Sequence, residues 1–252
     1  MQTTIVQTEA RKQVNRMTRE LSGCMSDESC VCHVPIFRDL KPSEVSLLDA
    51  AVQSRRYRKG EFIFQEGEES DSLYIIHQGV VKVYKLSDEG KEHILRFLFA
   101  GDFGGQLALF KEDIQYTNAE AIEDAVVCRI YRNDLKTILQ CNPEMAYRFL
   151  QAMSDRLRDA DEWTGSLSLL DADRRIAKML LNFGTRGGPT PGSHKLPVAK
   201  KDLAALLGIA PETLSRKLAY FDEQGWITLS GKKGVEIKNA NALQEIAKGT
   251  PD

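Results

Sequence analysis

Between Arg58 and Tyr131 the chain alternates short apolar runs with tight polar punctuation, and this pattern admits few folds. "EFIFQEG" places Phe62 and Phe64 on one face of an extended segment and Ile63 on the other. "SLYIIHQGVVKVYKL" is rich in β-branched and aromatic residues, with Gly79 marking a turn. "DEGKEHILRFLFAGDFGG" supplies two further turn clusters around an apolar run, and "AEAIEDAVVCRIY" closes the series. Short strands separated by such turns every ten residues or so predict an antiparallel β-roll or barrel of the jelly-roll kind.

A helix is expected next, opened by Pro143 in its first turn, where the missing N–H costs nothing. Met145, Phe149, Met153, Leu157, Ala160, Thr164 and Leu167 recur at steps of three and four, between charged faces that include Asp155, Arg156, Arg158 and Asp159. A stripe this long and narrow fits the seam of a two-helix contact, so these seven residues are the candidate dimer interface. Asp171 or Asp173 then caps a helix over "RRIAKMLLNFG", ended by Gly184, and "GTRGGPTPGS" reads as a loop.

"VAKKDLAALLGIAPETLSRKLAYFDEQGWI" reads helix, tight turn, helix. Ala204, Leu206 and Leu207 pack the first helix, Gly208 turns the chain with positive φ, and Pro211 opens the second helix. Leu214, Leu218 and Phe221 form its buried side. "ITLSGKKGVEI" is a hairpin with a basic tip, a wing. The outward residues Glu212, Ser215 and Arg216 share one helical face. Arginine can donate twice to guanine, glutamate can accept from cytosine, and serine can meet either kind of base edge. Lys200, Lys201, Lys217, Lys232 and Lys233 are candidates for the same surface, with the wing-tip and first-helix lysines placed to meet phosphates. Double-stranded DNA is the expected partner. The overall class is α+β.

Charge agrees with that division. The whole chain has a net charge of −2, but residues 171–252 carry 13 Lys and Arg against 9 Asp and Glu. The preceding 170 residues carry 21 against 27, so the basic excess lies where DNA is expected. With 42% hydrophobic and 28% charged residues, the composition is that of a globular protein with a real core. No apolar run is long enough to span a bilayer, and the N-terminus lacks a signal-peptide core, so a cytoplasmic protein with no membrane partner is expected. No nucleophile–base constellation, phosphate loop or HExxH motif is present, which argues against an enzyme.

Three of the five cysteines, Cys24, Cys30 and Cys32, crowd into a polar stretch near the N-terminus. In a reducing compartment, clustered thiols more often bind metal or do redox chemistry than form structural disulfides. Cys128 lies in a strand with Val126 and Ile130 on its face, where free cysteine is also a common core residue. Cys141 is expected to be structural.

The order "GEFIFQEG", "LYIIHQGVVKVY", "GDFGGQLALF", long helix, and winged helix-turn-helix with "PETLSRKL" resembles the CRP/FNR family of bacterial transcription regulators over about residues 34–240. The resemblance implies a homodimer joined along the long helix, a two-fold symmetric DNA site, and RNA polymerase as a partner. It divides the chain into an arm at 1–34, a β-roll sensor at 35–140, a dimerisation helix at 141–170 and a DNA-binding domain at 171–252. Cyclic-AMP-binding members carry a glutamate and an Arg-Ser pair where this chain has Gln106, Tyr116 and Thr117. Without that arginine no cyclic phosphate is paired, so no cyclic AMP is expected. Glu212, Ser215 and Arg216 match the E-x-x-S-R pattern of the FNR branch, implying half-sites of the TTGAT type.

Oxygen-sensing FNR proteins hold a 4Fe–4S cluster with three N-terminal cysteines and one in the roll. The resemblance assigns these to Cys24, Cys30, Cys32 and Cys128. The spacing departs from the common pattern: C-x5-C-x-C stands here in place of C-x2-C-x5-C, and His33 is adjacent. "SCVCHVPIF" is also similar to the Flp regulators of Gram-positive bacteria, which implies a thiol–disulfide switch pairing Cys30 or Cys32 with Cys128. A zinc site is the third alternative. Ala160 stands where oxygen-sensing FNR proteins can carry an acidic residue, so the dimer is expected to hold with or without metal.

Overall fold

The structure, a computed structural model, describes Phe37 and residues 48–109, 113–186, 198–230 and 234–249. Cys24, Cys30, Cys32, His33, Lys232 and Lys233 lie outside the described residues. Ten strands build the N-terminal half: β1 (Val52–Tyr57), β2 (Phe62–Phe64), β3 (Glu69–Ser70), β4 (Ser72–Gln78), β5 (Val81–Leu86), β6 (Glu92–Leu98), β7 (Phe103–Gly104), β8 (Asp113–Ile114), β9 (Asn118–Ala121) and β10 (Ala125–Tyr131). They form two four-stranded antiparallel sheets, β1-β10-β4-β7 and β2-β9-β5-β6, with β3 and β8 as a separate pair. Ile63, Phe64, Ile76, Val81, Val83, Leu98, Ala119 and Val127 from the two sheets make one interior cluster. This is the roll expected from the strand-and-turn pattern.

Gly79 shows why turn chemistry matters here. Its φ is +88°, and a Cβ there would lie 2.6 Å from the Asp124 carbonyl oxygen. Only glycine permits β4 to turn into β5 this close to β10. One strand departs from simple alternation. Phe62 is exposed, whereas Ile63 and Phe64 are both buried. The register shifts between Phe62 and Phe64 against β9, and this bulge replaces the expected pairing of Phe62 with Phe64 on one face.

Helix α1 (Arg132–Cys141) follows β10 directly and was not anticipated in the sequence. Helix α2 (Pro143–Leu169) is the long helix. The Asn142 side chain accepts a hydrogen bond from the Met145 N–H at 3.1 Å, which caps it, with Pro143 in the first turn. Asp171 caps α3 (Ala172–Arg186) by accepting from the Arg174 N–H at 2.9 Å. That helix runs past Gly184, its expected end. Helices α4 (Lys200–Leu207) and α5 (Pro211–Glu223), strands β11 (Ile227–Ser230) and β12 (Gly234–Ile237), and helix α6 (Ala240–Lys248) complete the chain. β11 and β12 pair antiparallel from Ile227–Ile237 to Ser230–Gly234, which is the wing hairpin. α6, also not anticipated, packs on α3.

The winged unit sits against the roll and shares its core. Ile176, Leu180, Phe183, Leu203, Leu207, Leu214 and Phe221 join one apolar cluster with Val80, Tyr84, Ile94, Phe97 and Phe99 of β5 and β6. Phe183 meets Phe99 edge-on at 5.5 Å between centroids and Phe97 at 5.9 Å. A third cluster joins the opposite sheet to α1 and α2, with Leu73, Ile75, Phe103, Cys128, Ile130, Leu135, Met145 and Phe149.

Candidate nucleic-acid interface and sensor thiol

The α4–turn–α5 geometry follows from a few residues. Gly208 adopts φ +64° and ψ +34°, and its N–H bonds to carbonyls of Ala204 and Ala205, so α4 ends in a left-handed cap. Pro211 then begins α5, whose Leu214, Leu218 and Phe221 are buried. Burial of this apolar side fixes the opposite side outward. Glu212, Ser215 and Arg216 are all exposed, and none has a hydrogen bond or ion pair among the described residues. Glu212 in the first turn also suits the positive end of the helix dipole.

The lysines divide. Lys201 is exposed and Lys200 half-buried at the start of α4. Lys217 is committed elsewhere: its Nζ lies 2.7 Å from the Asp173 carboxylate, bracing α5 on α3. It is therefore a strut, not an available base or phosphate contact. The recognition face is held from behind by an ion pair that spacing alone could not reveal.

The long helix also divides along its length. Met145 is fully buried and Phe149 nearly so, both inside the cluster that joins α2 to the roll. Met153 packs against the same cluster. These three turn inward to their own chain, so the expected stripe is corrected over its first turns. Leu157, Ala160 and Thr164 are exposed, and Leu167 is half-buried. Tyr147, Leu150 and Leu169 add exposed apolar surface at 58%, 60% and 83% exposure. The physical reason is that a helix lying on a roll must first cover the roll, so its inner face uses large residues at the spacing a seam would use.

Cys128 is fully buried on β10, opposite Ser54 of β1 and Ile75 of β4. Phe37, at 2% exposure, belongs to the same cluster. Phe37, near the start of the roll domain, is thus packed into the group of side chains that surrounds the thiol. Cys32 is five residues before Phe37, a reach of at most about 17 Å for extended chain. Cys141, expected to be structural, is exposed at the end of α1. Among the described residues no group of three or more His, Cys, Asp or Glu side chains is placed to hold a metal.

Four charged groups have surroundings that the sequence reading did not show, because neighbours come from other segments. Lys82 is 5% exposed, with Nζ 2.7 Å from Glu92, 3.2 Å from Glu120 and 4.4 Å from the Tyr84 ring centroid. Burial alone would lower its pKa, but the hydrogen bond to Glu92 and the charge of Glu120 raise it. Asp202 of α4 comes close to the same group. Its carboxyl pKa is raised, first by burial, with Glu92 and Glu120 adding to the effect against Lys82 and Lys201. Arg96 and Arg156 sit on the other side of the sheet. A charged residue inside the apolar run "HILRFLF" was the only available signal for Arg96.

The chain matches two domain models: the cyclic nucleotide-binding domain over residues 54–142 and the Crp-like helix-turn-helix domain over residues 174–246. It is 33% identical over 216 residues to the "Cyclic AMP receptor protein" of Thermus thermophilus, covering 85% of this chain and 97% of that one. It is 31% identical over 212 residues to the "Fumarate and nitrate reduction regulatory protein" of Vibrio cholerae, covering 82% and 84%. Among solved structures, FixK2 from Bradyrhizobium japonicum superposes with a TM-score of 0.72 at 27% identity, over 79% of this chain and 99% of that one. No helix among the described residues is long and apolar enough to cross a membrane. Roll, long helix and winged helix-turn-helix, together with relatives that are regulators and not enzymes, establish that the chain belongs to the CRP/FNR family of DNA-binding transcription regulators.

Proposed function

We propose that the protein is a cytoplasmic, homodimeric regulator of the FNR-like branch that reads half-sites of the TTGAT type and responds to oxygen or redox state. The observation that carries the DNA reading is the exposed, unpartnered trio Glu212, Ser215 and Arg216 on the first turns of α5. Arg216 donates to guanine O6 and N7, Glu212 accepts from a cytosine amine, and Ser215 contacts an adjacent edge. Lys200, Lys201, Lys232 and Lys233 meet phosphates and set the register. The test is binding to a TTGAT palindrome and to the same duplex with the guanine replaced. Arg216→Ala should cost about 1–3 kcal/mol on the palindrome and little on the replaced duplex. Equal loss on both would refute the readout. Lys201→Ala should weaken both alike and flatten the salt dependence.

Sensing is assigned to Cys128 together with Cys24, Cys30 and Cys32. Its support is the packing of Phe37, five residues after Cys32 in sequence, into the Cys128 cluster. One buried thiol and three in the N-terminal segment match in number the four donors of a 4Fe–4S cluster, which when bound supplies oxidant-labile iron. The chain's part is to keep Cys128 away from water and to bring the arm to it. A second reading, favoured by the complete burial of Cys128 among apolar side chains, is a disulfide with Cys30 or Cys32. A fully buried thiol is shielded from oxidant in solution, so the arm cysteine would be the partner attacked first. Protein purified without oxygen should absorb broadly near 400 nm, roughly as iron–sulfur proteins do, and contain iron. Loss of Cys24 should abolish the iron under the first reading and leave function intact under the second. Iron-free protein that responds to oxidant only through a Cys128 disulfide would establish the switch instead.

The dimer is assigned to the outer face of α2, with Leu157, Ala160 and Thr164 at its centre and Leu150 and Leu167 beside them. No charge need be buried at Ala160, so the metal-free, reduced protein should sediment as a dimer at micromolar concentration. A monomer that dimerises only with metal would overturn that assignment.

A further inference from the structure

The outward face of α5 extends one turn beyond Ser215 and Arg216. Ala219, Tyr220 and Glu223 are exposed there, while Leu218 and Phe221 are buried. Tyr220 stands four residues after Arg216 and eight after Glu212, so the three lie along one side of the helix. It keeps 45% of its surface open although it is a large aromatic residue. Its ring is fixed from the wing side. It meets the half-buried Trp226 edge-on, at 5.7 Å between centroids and 89° between planes. Trp226 in turn meets the buried Phe221 at 5.2 Å and 71°. The Trp226 carbonyl accepts from the N–H groups of Lys238 and Asn239 at 2.9 and 3.0 Å, just past β12. The Leu229 N–H of β11 donates to the Asp222 carboxylate of α5 at 3.1 Å. The end of α5 and the base of the wing are therefore one body, and the edge-on contact holds the phenol ring against it. The Tyr220 hydroxyl has no hydrogen-bond partner among the described residues.

Distance along the helix decides what this hydroxyl can reach. Eight residues of α-helix rise about 12 Å. The major groove of B-DNA is about 8.5 Å deep and about 12 Å wide. With Glu212 and Arg216 against base edges, Tyr220 is at the rim of the groove, where phosphates line it, and not at its floor. Neighbouring side chains supply no donor at that rim. Ala219 has no polar group, Lys217 is held by Asp173 at 2.7 Å, and the Glu223 carboxylate is repelled by phosphate. A phenol O–H is a neutral donor suited to a phosphate oxygen.

We propose that Tyr220 donates a hydrogen bond to a DNA phosphate at the groove rim, and that Trp226 holds its ring in place, so that the pair sets how deeply α5 enters the groove. This rests on the reading of α5 as the helix that enters the groove. It adds a contact of a kind the lysines cannot supply: being neutral, it releases no counterion, and it carries no base preference.

The test is fluorescence anisotropy of the full-length protein on the TTGAT palindrome and on the duplex with the guanine replaced, across a salt series, for wild type and Tyr220→Phe. The phenylalanine variant keeps the ring and removes only the donor. It should bind both duplexes about tenfold more weakly, with the wild-type salt slope and an unchanged Tm. Phosphate ethylation should identify one position per half-site that interferes with wild type and not with the variant. Equal binding by the two proteins, a loss confined to the palindrome, a shallower salt slope or a lowered Tm would each overturn the proposal. Should wild type itself bind the two duplexes alike, the TTGAT reading fails, while the ratio of Tyr220→Phe to wild type on either duplex still decides the phosphate contact.

Discussion

The β5–β6 hairpin carries a cation on each face, Lys82 buried and Arg96 half-buried, and the two have different surroundings. On the outer face, against the winged unit, Lys82 has Glu92, Glu120 and an aromatic ring within reach, and its pKa is raised. On the inner face, Arg96 meets the Tyr116 phenol rather than a paired carboxylate, and burial lowers its pKa against the effect of Tyr116 and the more distant Asp102. The two residues sit one step apart in the ladder, Lys82 opposite Phe97 and Val83 opposite Arg96. Lys82 is the more deeply buried of the two. What also differs is what the neighbouring segments bring: β9 and the far end of β6 deliver carboxylates to Lys82, whereas Tyr116 brings a phenol to Arg96. A compensated buried charge fastens two parts of a molecule together.

That contrast can be broken most severely at the apolar seam beside Lys82. Phe97→Ala removes a ring packed against Phe183 and should cost about 3–5 kcal/mol. Denaturant unfolding should then show the winged unit separating from the roll; a single transition with unchanged midpoint would deny that the shared core couples them. Lys82→Met is next. It strands Glu92 and Glu120, both partly open to water, and a loss of about 2 kcal/mol is expected from the same measurement. The matching substitution on the inner face, Arg96→Met, should have the opposite sign and stabilise the free protein by about 1 kcal/mol. If the two methionine variants lose stability equally, the distinction between the faces is wrong.

The smallest effect concerns Asp202. Its carboxyl is raised above the ordinary value of 3.8, so its contribution to stability is fully present below that pH. The contribution is lost as pH rises through the folded-state pKa, and at neutral pH the ionised group opposes the contact with Glu92 and Glu120. Asp202→Asn should therefore compare best with wild type at neutral pH, by a few tenths of a kcal/mol, and compare progressively worse as pH falls toward 4. A difference independent of pH would show that Asp202 does not feel the roll.

Much of the recognition surface was legible because it is local. Gly208, Pro211 and the Leu214–Leu218–Phe221 side determine the turn and the outward face within some fourteen residues. Lys217 was not legible, since Asp173 is 44 positions away in sequence. The long helix was found by its period, but period alone does not say what the apolar side touches. Met145 and Phe149 went to the roll, leaving Leu157, Ala160 and Thr164 outside. The strand pattern located the roll and missed its bulges. A bulge between Phe62 and Phe64 reverses one face, and another between Val83 and Tyr84 sets which of the β6 side chains join Arg96 inside.

By itself, then, the sequence determined the order of elements, the turns that need glycine, the family, and the face of α5 turned outward. These depend on backbone preferences and side-chain periods that act within one or two turns of chain. Only the tertiary structure decided which charges are compensated, which part of α2 stays exposed, and that Phe37 shares a core with Cys128. Those outcomes depend on which remote segments meet, and contact energies between remote segments leave no periodic trace along the chain.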